Sequence, residues 1–261
     1  GEQEDGIEFR RVRIFVKGNV AENVGYKLQL DFAGSGTDLK DAYLKFSGLP
    51  LGTWKVGHFK EPFSLEELTS SKYITFMERA LPNAFALGRN TGIMVSNIVA
   101  DNSVTWAAGL FRETDDNGEL VDDDGYNATG RLTYNPVYEN DGAKVVHLGI
   151  GYAIKSPPDS NGTAPGDDIR YRSRPEAHQT DRFINTGFFA ADKIDILGLE
   201  AAWVAGPFSL QGEYIQAKTD GHFGQDDLDF DGWYAQASYW LTGEHRNYDR
   251  EDAAFGRIRP H

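Results

Sequence analysis

The sequence contains no cysteine, which excludes a disulfide scaffold, a thiolate zinc site and a cysteine nucleophile. It also has no apolar run of about 18 residues, so a transmembrane helix is excluded. A transmembrane barrel stays open, because its strands alternate apolar and polar residues and average to a low hydropathy. Positive charge is scarce as well, since 26 Lys and Arg face 40 Asp and Glu. The resulting net charge of −14 argues against nucleic-acid binding, which needs a basic surface to displace counterions.

The signatures of catalytic and metal sites are missing too. The six histidines show no metal-binding spacing such as HExxH. No GxSxG motif or glycine-rich phosphate loop is present. His147 stands between Val146 and Leu148, where a histidine on a strand needs no special role. We therefore expect that the protein is not an enzyme and that it has no metal and no cofactor.

Negative charge is concentrated in the second part of the chain. Residues 1–100 hold 12 basic and 12 acidic side chains, whereas residues 101–261 hold 14 and 28. Bursts of carboxylates at 113–124 and 226–231 are typical of solvated loops. A calcium loop is disfavoured, because the aspartates at 122–124 lack the alternate spacing and the distal Glu of an EF-hand.

Apolar and polar residues alternate with a period of two along most of the chain. Between residues 24 and 32, apolar side chains occupy the even positions, while Lys27, Gln29 and Asp31 stand at odd ones. This is the periodicity of β-strands that have one apolar face and one polar or small face. The same alternation occurs at 103–110, 146–154, 197–203, 208–214 and 233–241.

The length of these segments favours a membrane barrel. They run for about 8 to 11 residues, whereas an average soluble strand has about 5 or 6 and a membrane-crossing strand about 9 to 11. Short connectors such as 205–207 alternate with long acidic ones such as 156–181, as in outer-membrane barrels. We count about eleven segments and predict an all-β fold, an antiparallel transmembrane β-barrel. A soluble β-sandwich binding module and a surface adhesin are the alternative classes.

Residues 61–88 interrupt the alternation. Ser64 and Glu67 have the spacing of a capping box at a helix start. Leu65 and Leu68 begin a helical spacing that continues to Leu81. An insertion of this length between strands usually has a function. We predict a partly helical constriction loop folded into the barrel lumen, and a surface flap is the alternative.

Eight short motifs form a set that is specific when taken together. In this order, and over essentially the whole chain, they resemble the phosphate-selective porin O and P family, which are outer-membrane porins. The motifs are FRRV at 9–12, VGHF at 56–59, SSK at 70–72, ER at 78–79, VVHLG at 145–149, GLEAAW at 198–203, YAQ at 234–236 and LTGE at 241–244.

The resemblance implies a sixteen-stranded, homotrimeric barrel in the bacterial outer membrane that passes small anions by passive diffusion. Its partners would be inorganic anions or small solutes and outer-membrane lipid. About eleven segments are too few for that barrel. We therefore expect residues 1–261 to be an internal fragment, a single porin domain that is incomplete at both ends.

An anion pathway needs cations on the lumen face, and arginine suits oxyanions because its planar fork donates parallel hydrogen bonds. Strand parity from Val12 places Arg11 and Arg13 in the lumen and Arg10 on the lipid face, unless a bulge or snorkelling redirects Arg10. The arginine ladder of the family matches Arg10 and Arg11. The alternative is that such an arginine only pairs with a lumen carboxylate such as Asp31 or Asp41.

Further cations of the predicted pathway come from the loops. Arg79 and Lys72 match family positions, and parity suggests that Arg89 lines the channel. Arg170, Arg172 and Arg174 alternate and so share one face, and they resemble a family cluster that draws anions toward the pore. The alternative for this triplet is a solvated loop that is balanced by Asp167, Asp168 and Glu176.

One position departs from the family. The phosphate-binding members have a lysine in the constriction loop where this chain has Glu67, and Lys40 stands in place of a family aspartate. A carboxylate at a narrow point of low dielectric would weaken a phosphate site, although a swapped Glu67–Lys40 pair could keep the two charges together. A general, less selective porin is therefore the alternative to an anion-selective or phosphate-selective one.

Overall fold

The computed structural model describes residues 6–120, 125–157, 169–175, 177–222 and 226–260. Within those ranges, no helix has the length and apolar character needed to cross a membrane. Several acidic residues considered above lie outside the described residues, namely 122–124, Asp167, Asp168 and Glu176.

Most of the chain forms β-strands, as the alternation predicts. In the described parts of the chain, helical structure is limited to α1 (Leu65–Leu68) and two short 3-10 helices, Leu81–Phe85 and Asn140–Gly142. The strands are β1 (Arg13–Ala21), β2 (Val24–Asp31), β3 (Asp38–Leu49), β4 (Gly52–Lys60), β5 (Arg89–Val99), β6 (Val104–Arg112), β7 (Tyr126–Glu139), β8 (Lys144–Ser156), β9 (Arg172–Ser173), β10 (Ile184–Asn185), β11 (Ala191–Ala205), β12 (Phe208–Gly221), β13 (Leu228–Tyr239), β14 (Tyr248–Asp249) and β15 (Ala254–Phe255).

Eleven strands form one antiparallel sheet in sequence order, from β1 through β8 and then β11, β12 and β13. Short connections join them at one end, which we call the turn end. There Gly206 links β11 to β12 with a φ of 55°, a left-handed conformation that glycine adopts without strain. The opposite end, called the loop end, carries the long connections 61–88, 113–125 and 157–190. The predicted all-β, antiparallel architecture is confirmed.

The two faces of the sheet have opposite character. The outer face exposes large apolar side chains such as Leu132 (50% exposed), Ile150 (45%) and Trp203 (45%). The inner face carries polar groups such as Thr133 and Arg131, and these are buried. A soluble protein has the reverse pattern, whereas a lipid-facing barrel wall has this one. The alternative of a soluble sandwich is wrong, because a sandwich needs two packed sheets and these strands form one.

The segment 61–88 lies against the inner face. Phe63 is fully buried over Gly151 and Gly198, where an added Cβ would come within 2.9 and 2.8 Å of its ring. The backbone N–H groups of Leu65 and Glu66 donate to the Glu213 carboxylate on β12, at 3.0 and 2.7 Å. The segment is thus fixed by glycines that admit a ring and by a carboxylate that binds the start of α1.

The helix in this segment is shorter than the spacing predicts. Ser64 caps α1, because its Oγ accepts from the Glu67 N–H at 3.1 Å, but α1 ends at Leu68. Arg79 returns to the end of α1 and donates to the carbonyls of Glu66 and Thr69 at 3.0 Å each. These hydrogen bonds take the place of those that a further helical turn would make to the same carbonyls. The helix therefore does not continue, and residues 69–80 form turns and bends.

A second segment, 240–256, also enters the sheet's inner face, from the turn end. Tyr248 and Phe255 are buried there, and the Arg131 guanidinium on β7 donates to the carbonyl of Ala253 at 2.9 Å. The Phe255 N–H donates to Thr69 Oγ1 of the first segment at 3.3 Å. The two inward segments therefore meet on the inner face, an arrangement that the sequence analysis did not predict.

Candidate anion-binding surface

A cavity of about 410 Å³ opens at the loop end, between three parts of the chain that are distant in sequence. The first part precedes β1, the second is the end of the turn-and-bend region 69–80, and the third is the loop between β8 and β11. Among the described residues, six arginines and a single glutamate account for most of its charged lining. These residues are Arg10, Arg11, Arg79, Arg172, Arg174, Arg182 and Glu78.

Arg10 and Arg11 converge on Glu78. Arg10 donates from Nε and Nη2 to the two carboxylate oxygens, at 2.7 and 3.2 Å, and Arg11 Nη2 lies 3.5 Å from Oε2. The parity argument that turned Arg10 toward lipid is wrong, because the strand begins only at Arg13 and residue 10 does not follow its alternation. Burial raises the pKa of the Glu78 carboxyl, but the hydrogen bond and charge of Arg10 outweigh this and leave it below its usual value.

The loop between β8 and β11 brings the remaining arginines to the cavity. No carboxylate of the described residues lies within ion-pair distance of Arg172, Arg174 or Arg182. Desolvation and the like charges of Arg172, Arg174 and Arg170 lower the pKa of the Arg182 guanidinium. The described part of this loop thus concentrates like positive charges at the cavity.

Arg170 does not join its two neighbours in the cavity. Its Nε donates to Asn185 Oδ1 at 2.9 Å, and its guanidinium stacks 5.0 Å from the centre of the Phe188 ring. Lys72 likewise lies outside, with its ammonium 5.6 Å from the Phe15 ring. Arg170 and Lys72 therefore stand apart from the cavity that holds Arg172 and Arg174.

Glu67 lies deeper in the inward segment and is held between two cations. Its Oε1 lies 2.9 Å from Lys60 Nζ, and its Oε2 lies 3.3 Å from Arg79 Nε. Burial raises the pKa of this carboxyl, but Lys60 and Arg79 outweigh burial and lower the pKa to about 2. Glu67 is therefore an anion that neutralises part of the local positive charge.

The swapped pair of Glu67 and Lys40 does not form. Lys40 Nζ instead lies 3.0 Å from Asp38 and 2.7 Å from Asp116. Both partners are on the loop-end rim, whereas Glu67 bonds to Lys60, Arg79 and the Asn83 amide. The physical reason is that each charge has nearer partners of opposite sign.

Two of the predicted pathway arginines pair with carboxylates on the inner face. Arg13 Nε lies 2.6 Å from Asp31, and Arg89 Nε lies 3.0 Å from Asp41. Asp41 also accepts from Lys27 Nζ at 2.6 Å. These contacts match the alternative in which a lumen arginine is neutralised, so Arg13 and Arg89 contribute less free positive charge than the cavity arginines.

Four inner-face lysines on β1–β4 were missed by the sequence analysis, as was Arg182. Lys17 stands directly opposite Lys27, and Lys45 directly opposite Lys55. Like charges placed opposite each other destabilise a sheet, and carboxylates offset part of this repulsion, since Asp41 lies 2.6 Å from Lys27 and Glu251 lies 3.9 Å from Lys45. Parity within each strand was the signal that could have revealed them.

An antiparallel sheet with an apolar outer face, a polar inner face and inward-folded segments defines the porin class of outer-membrane β-barrel proteins. The chain belongs to the family "Phosphate-selective porin O and P", whose model matches residues 1–260. Members of a porin family are channels rather than enzymes, and the protein's location is the bacterial outer membrane.

Two curated relatives and one solved structure are similar to the chain. Porin O of Pseudomonas aeruginosa is 29% identical over 287 residues, which cover 100% of this chain and 64% of Porin O. An uncharacterised protein of Caulobacter vibrioides is 31% identical over 270 residues, covering 98% of this chain and 51% of that protein. The chain thus spans about half to two thirds of the length of these relatives. A loop L8 deletion mutant of OmpT, an outer membrane protein of Vibrio cholerae, matches 90% of this chain and 70% of that one with a TM-score of 0.50 and 12% identity.

Proposed function

We propose that the full-length protein is a porin that passes small anions by passive diffusion, and that the arginine cavity is where anions enter. The cavity carries this proposal: the described residues that line it at the loop end include six arginines and one glutamate. Guanidinium groups stay charged at any physiological pH and bind oxyanions through parallel hydrogen bonds. Inorganic phosphate is the anion whose charge and oxygen geometry this set of donors suits best.

The lysines of β1–β4 extend the positive wall from the cavity toward the turn end. Lys17 on β1 and Lys27 on β2 lie nearer to the turn end than Arg13 does. Lys45 on β3 and Lys55 on β4 lie nearer to the turn end still. Lys55 also lies over the rings of Tyr43 and Phe59, 4.8 and 5.1 Å from their centres. A graded series of single charges lets an anion move on, because no one site binds it too tightly.

Glu67 supports a second candidate, a general porin with weak selectivity. Its carboxylate balances Lys60 and Arg79 within the inward segment, so the charge of Arg79, which lines the cavity, is partly neutralised. An anion that enters easily would then meet a weaker site at the constriction. Selectivity for phosphate over chloride is the property that this arrangement would reduce first.

The test uses the full-length protein in a planar lipid bilayer. The zero-current potential in a KCl gradient reports anion against cation selectivity, and addition of inorganic phosphate reports binding through block of the chloride current. An anion-selective potential with phosphate block supports the first candidate. A weak or cation-selective potential without block supports the general porin and contradicts the phosphate assignment.

The partners proposed with this function are inorganic anions or small solutes, outer-membrane lipid and two further copies of the protein in a homotrimer. The exposed apolar side chains of the outer face support contact with lipid. The trimer follows from the family resemblance alone. Chemical cross-linking of the detergent-solubilised protein would test it, since a monomeric product would contradict the proposal.

A further inference from the structure

We propose that Glu78 is a tethered counter-anion, a carboxylate that occupies the arginine cavity in the place of a permeating oxyanion and competes with it. The inference deepens the proposed function and rests on it. Glu78 would set how much anion the mouth holds, and so it would be a specificity-determining residue for transport. No role in the anion pathway was assigned to it from the sequence.

The contact geometry is that of a bound ligand. Arg10 presents Nε and Nη2 to the two oxygens of Glu78, at 2.7 and 3.2 Å, which is the side-on fork that an arginine offers to carboxylate or phosphate. Arg11 adds a third nitrogen at 3.5 Å. A phosphate that used these donors would need the space that the carboxylate now fills.

The surrounding charge shows why one carboxylate does not complete the site. Glu78 is ion-paired with Arg10 and Arg11, and Arg79, Arg172, Arg174 and Arg182 also line the cavity. The cavity keeps a volume of about 410 Å³ beside it. A mobile anion can therefore enter next to Glu78 and compete for the same two guanidinium groups.

The residues that precede Glu78 are loosely packed. The residue lies in the turn-and-bend region 69–80, without a helix or strand to hold it. Its neighbours Phe76 and Met77 are 51% and 77% exposed, so little packing fixes this part of the segment. The Glu78 side chain itself is 16% exposed and paired with Arg10 and Arg11, so an incoming anion would have to take over these contacts to displace it.

The test compares Glu78→Gln with the wild-type full-length protein by single-channel recording in KCl. Glutamine keeps the shape and can still accept a hydrogen bond from Arg10, so the arginines should stay in place. We expect the phosphate concentration that halves the chloride current to fall about fivefold, the equivalent of a partly exposed ion pair. The matched control is Glu139→Gln, which removes an exposed carboxylate at the turn end and should leave that concentration unchanged.

The possible results separate the two proposals. If phosphate blocks the wild type and Glu78→Gln leaves the block unchanged or weakens it, Glu78 positions the arginines and the counter-anion proposal is wrong. If phosphate does not block the wild type but does block Glu78→Gln, the counter-anion is supported. If neither channel is blocked and both are cation-selective, the anion-porin function fails and the counter-anion proposal fails with it.

Discussion

Replacement of Glu67 with glutamine would remove the carboxylate that balances two cations within the inward segment. In the wild type its oxygens lie 2.9 Å from Lys60 Nζ and 3.3 Å from Arg79 Nε. Glutamine has almost the same shape and can still accept from the Asn83 amide, which now donates to Oε2 at 3.2 Å. The variant should therefore fold, and its inward segment should carry one more net positive charge.

The size of the effect follows from Coulomb's law. An anion about 8 Å from the Glu67 carboxylate is repelled by about 2 kcal/mol at an effective dielectric constant of about 20. Screening over about one Debye length at physiological salt reduces this to about 0.8 kcal/mol. That free energy corresponds to about a three- to fourfold change in local anion concentration. We expect the anion-to-cation permeability ratio of Glu67→Gln to rise by about this factor.

The assay is the zero-current potential across a planar bilayer in a KCl gradient, measured for the full-length wild type and variant. Glu139→Gln serves again as the control, because it also removes one carboxylate but at the exposed turn end, 3.2 Å from Lys144. A potential that does not move, or that moves toward cations, would refute the reasoning. It would mean that permeating ions do not come within reach of Glu67.

The same residue predicts a pH dependence of stability. Its pKa is about 2 in the folded protein, whereas the ordinary value is 4.5. A lowered pKa stabilises the folded state above pH 4.5, and this contribution is lost as pH falls from about 4.5 to about 2. Across that pH window the local stability of the wild-type inward segment should fall by about a few kcal/mol. The segment should therefore be cleaved faster by a protease as the pH is lowered. Glu67→Gln should show a flatter profile, and equal profiles would contradict the ion-pair argument.

Two further predictions concern the inward segments. Gly198→Ala places a methyl group against the ring of Phe63, 2.8 Å from its nearest atom. It should lower the free energy of unfolding in urea by about 1–3 kcal/mol. The control Gly130→Ala meets only a carbonyl at 3.8 Å and should leave this free energy unchanged. Arg131→Met breaks a buried ion pair with Glu200, whose oxygens lie 2.6 and 2.8 Å from the guanidinium, and should cost about 3–5 kcal/mol and expose residues 240–256 to protease. Wild-type stability in Gly198→Ala, or wild-type protease resistance in Arg131→Met, would contradict the corresponding contact.

The strands and their faces could be predicted from the sequence because a strand's side-chain period is local. Leu132 and Arg131 are neighbours, and their alternation alone assigns them to opposite faces. The break at 61–88 was equally local, and it indicated a segment that leaves the sheet. Parity failed at Arg10, where the strand had not yet begun. There the Asp31 carboxylate accepts from the Val12 N–H at 2.9 Å and fixes where pairing starts.

Long-range contacts could not be predicted in the same way. The cavity joins Arg10 to Arg172 and Arg182, and no period in the sequence relates positions so far apart. The inward course of 240–256 likewise depends on Arg131, more than a hundred residues earlier. Charge type was readable from the sequence, but the partner that neutralises or frees each charge was not.

The two inward segments explain why an anion path would follow one side of the sheet. From β7 to β12 the inner face is covered, since Phe63, Tyr248 and Phe255 are buried against it. On that covered part, Arg131 pairs with Glu200 and donates to the Ala253 carbonyl of the second segment. The inner face of β1–β4 is covered less completely: Lys45 lies 3.9 Å from Glu251 and Lys60 lies 2.9 Å from Glu67, whereas Lys17 and Lys27 stay at least partly accessible to solvent. Because the β7–β12 side is filled, the proposed anion path would follow this more open cationic wall.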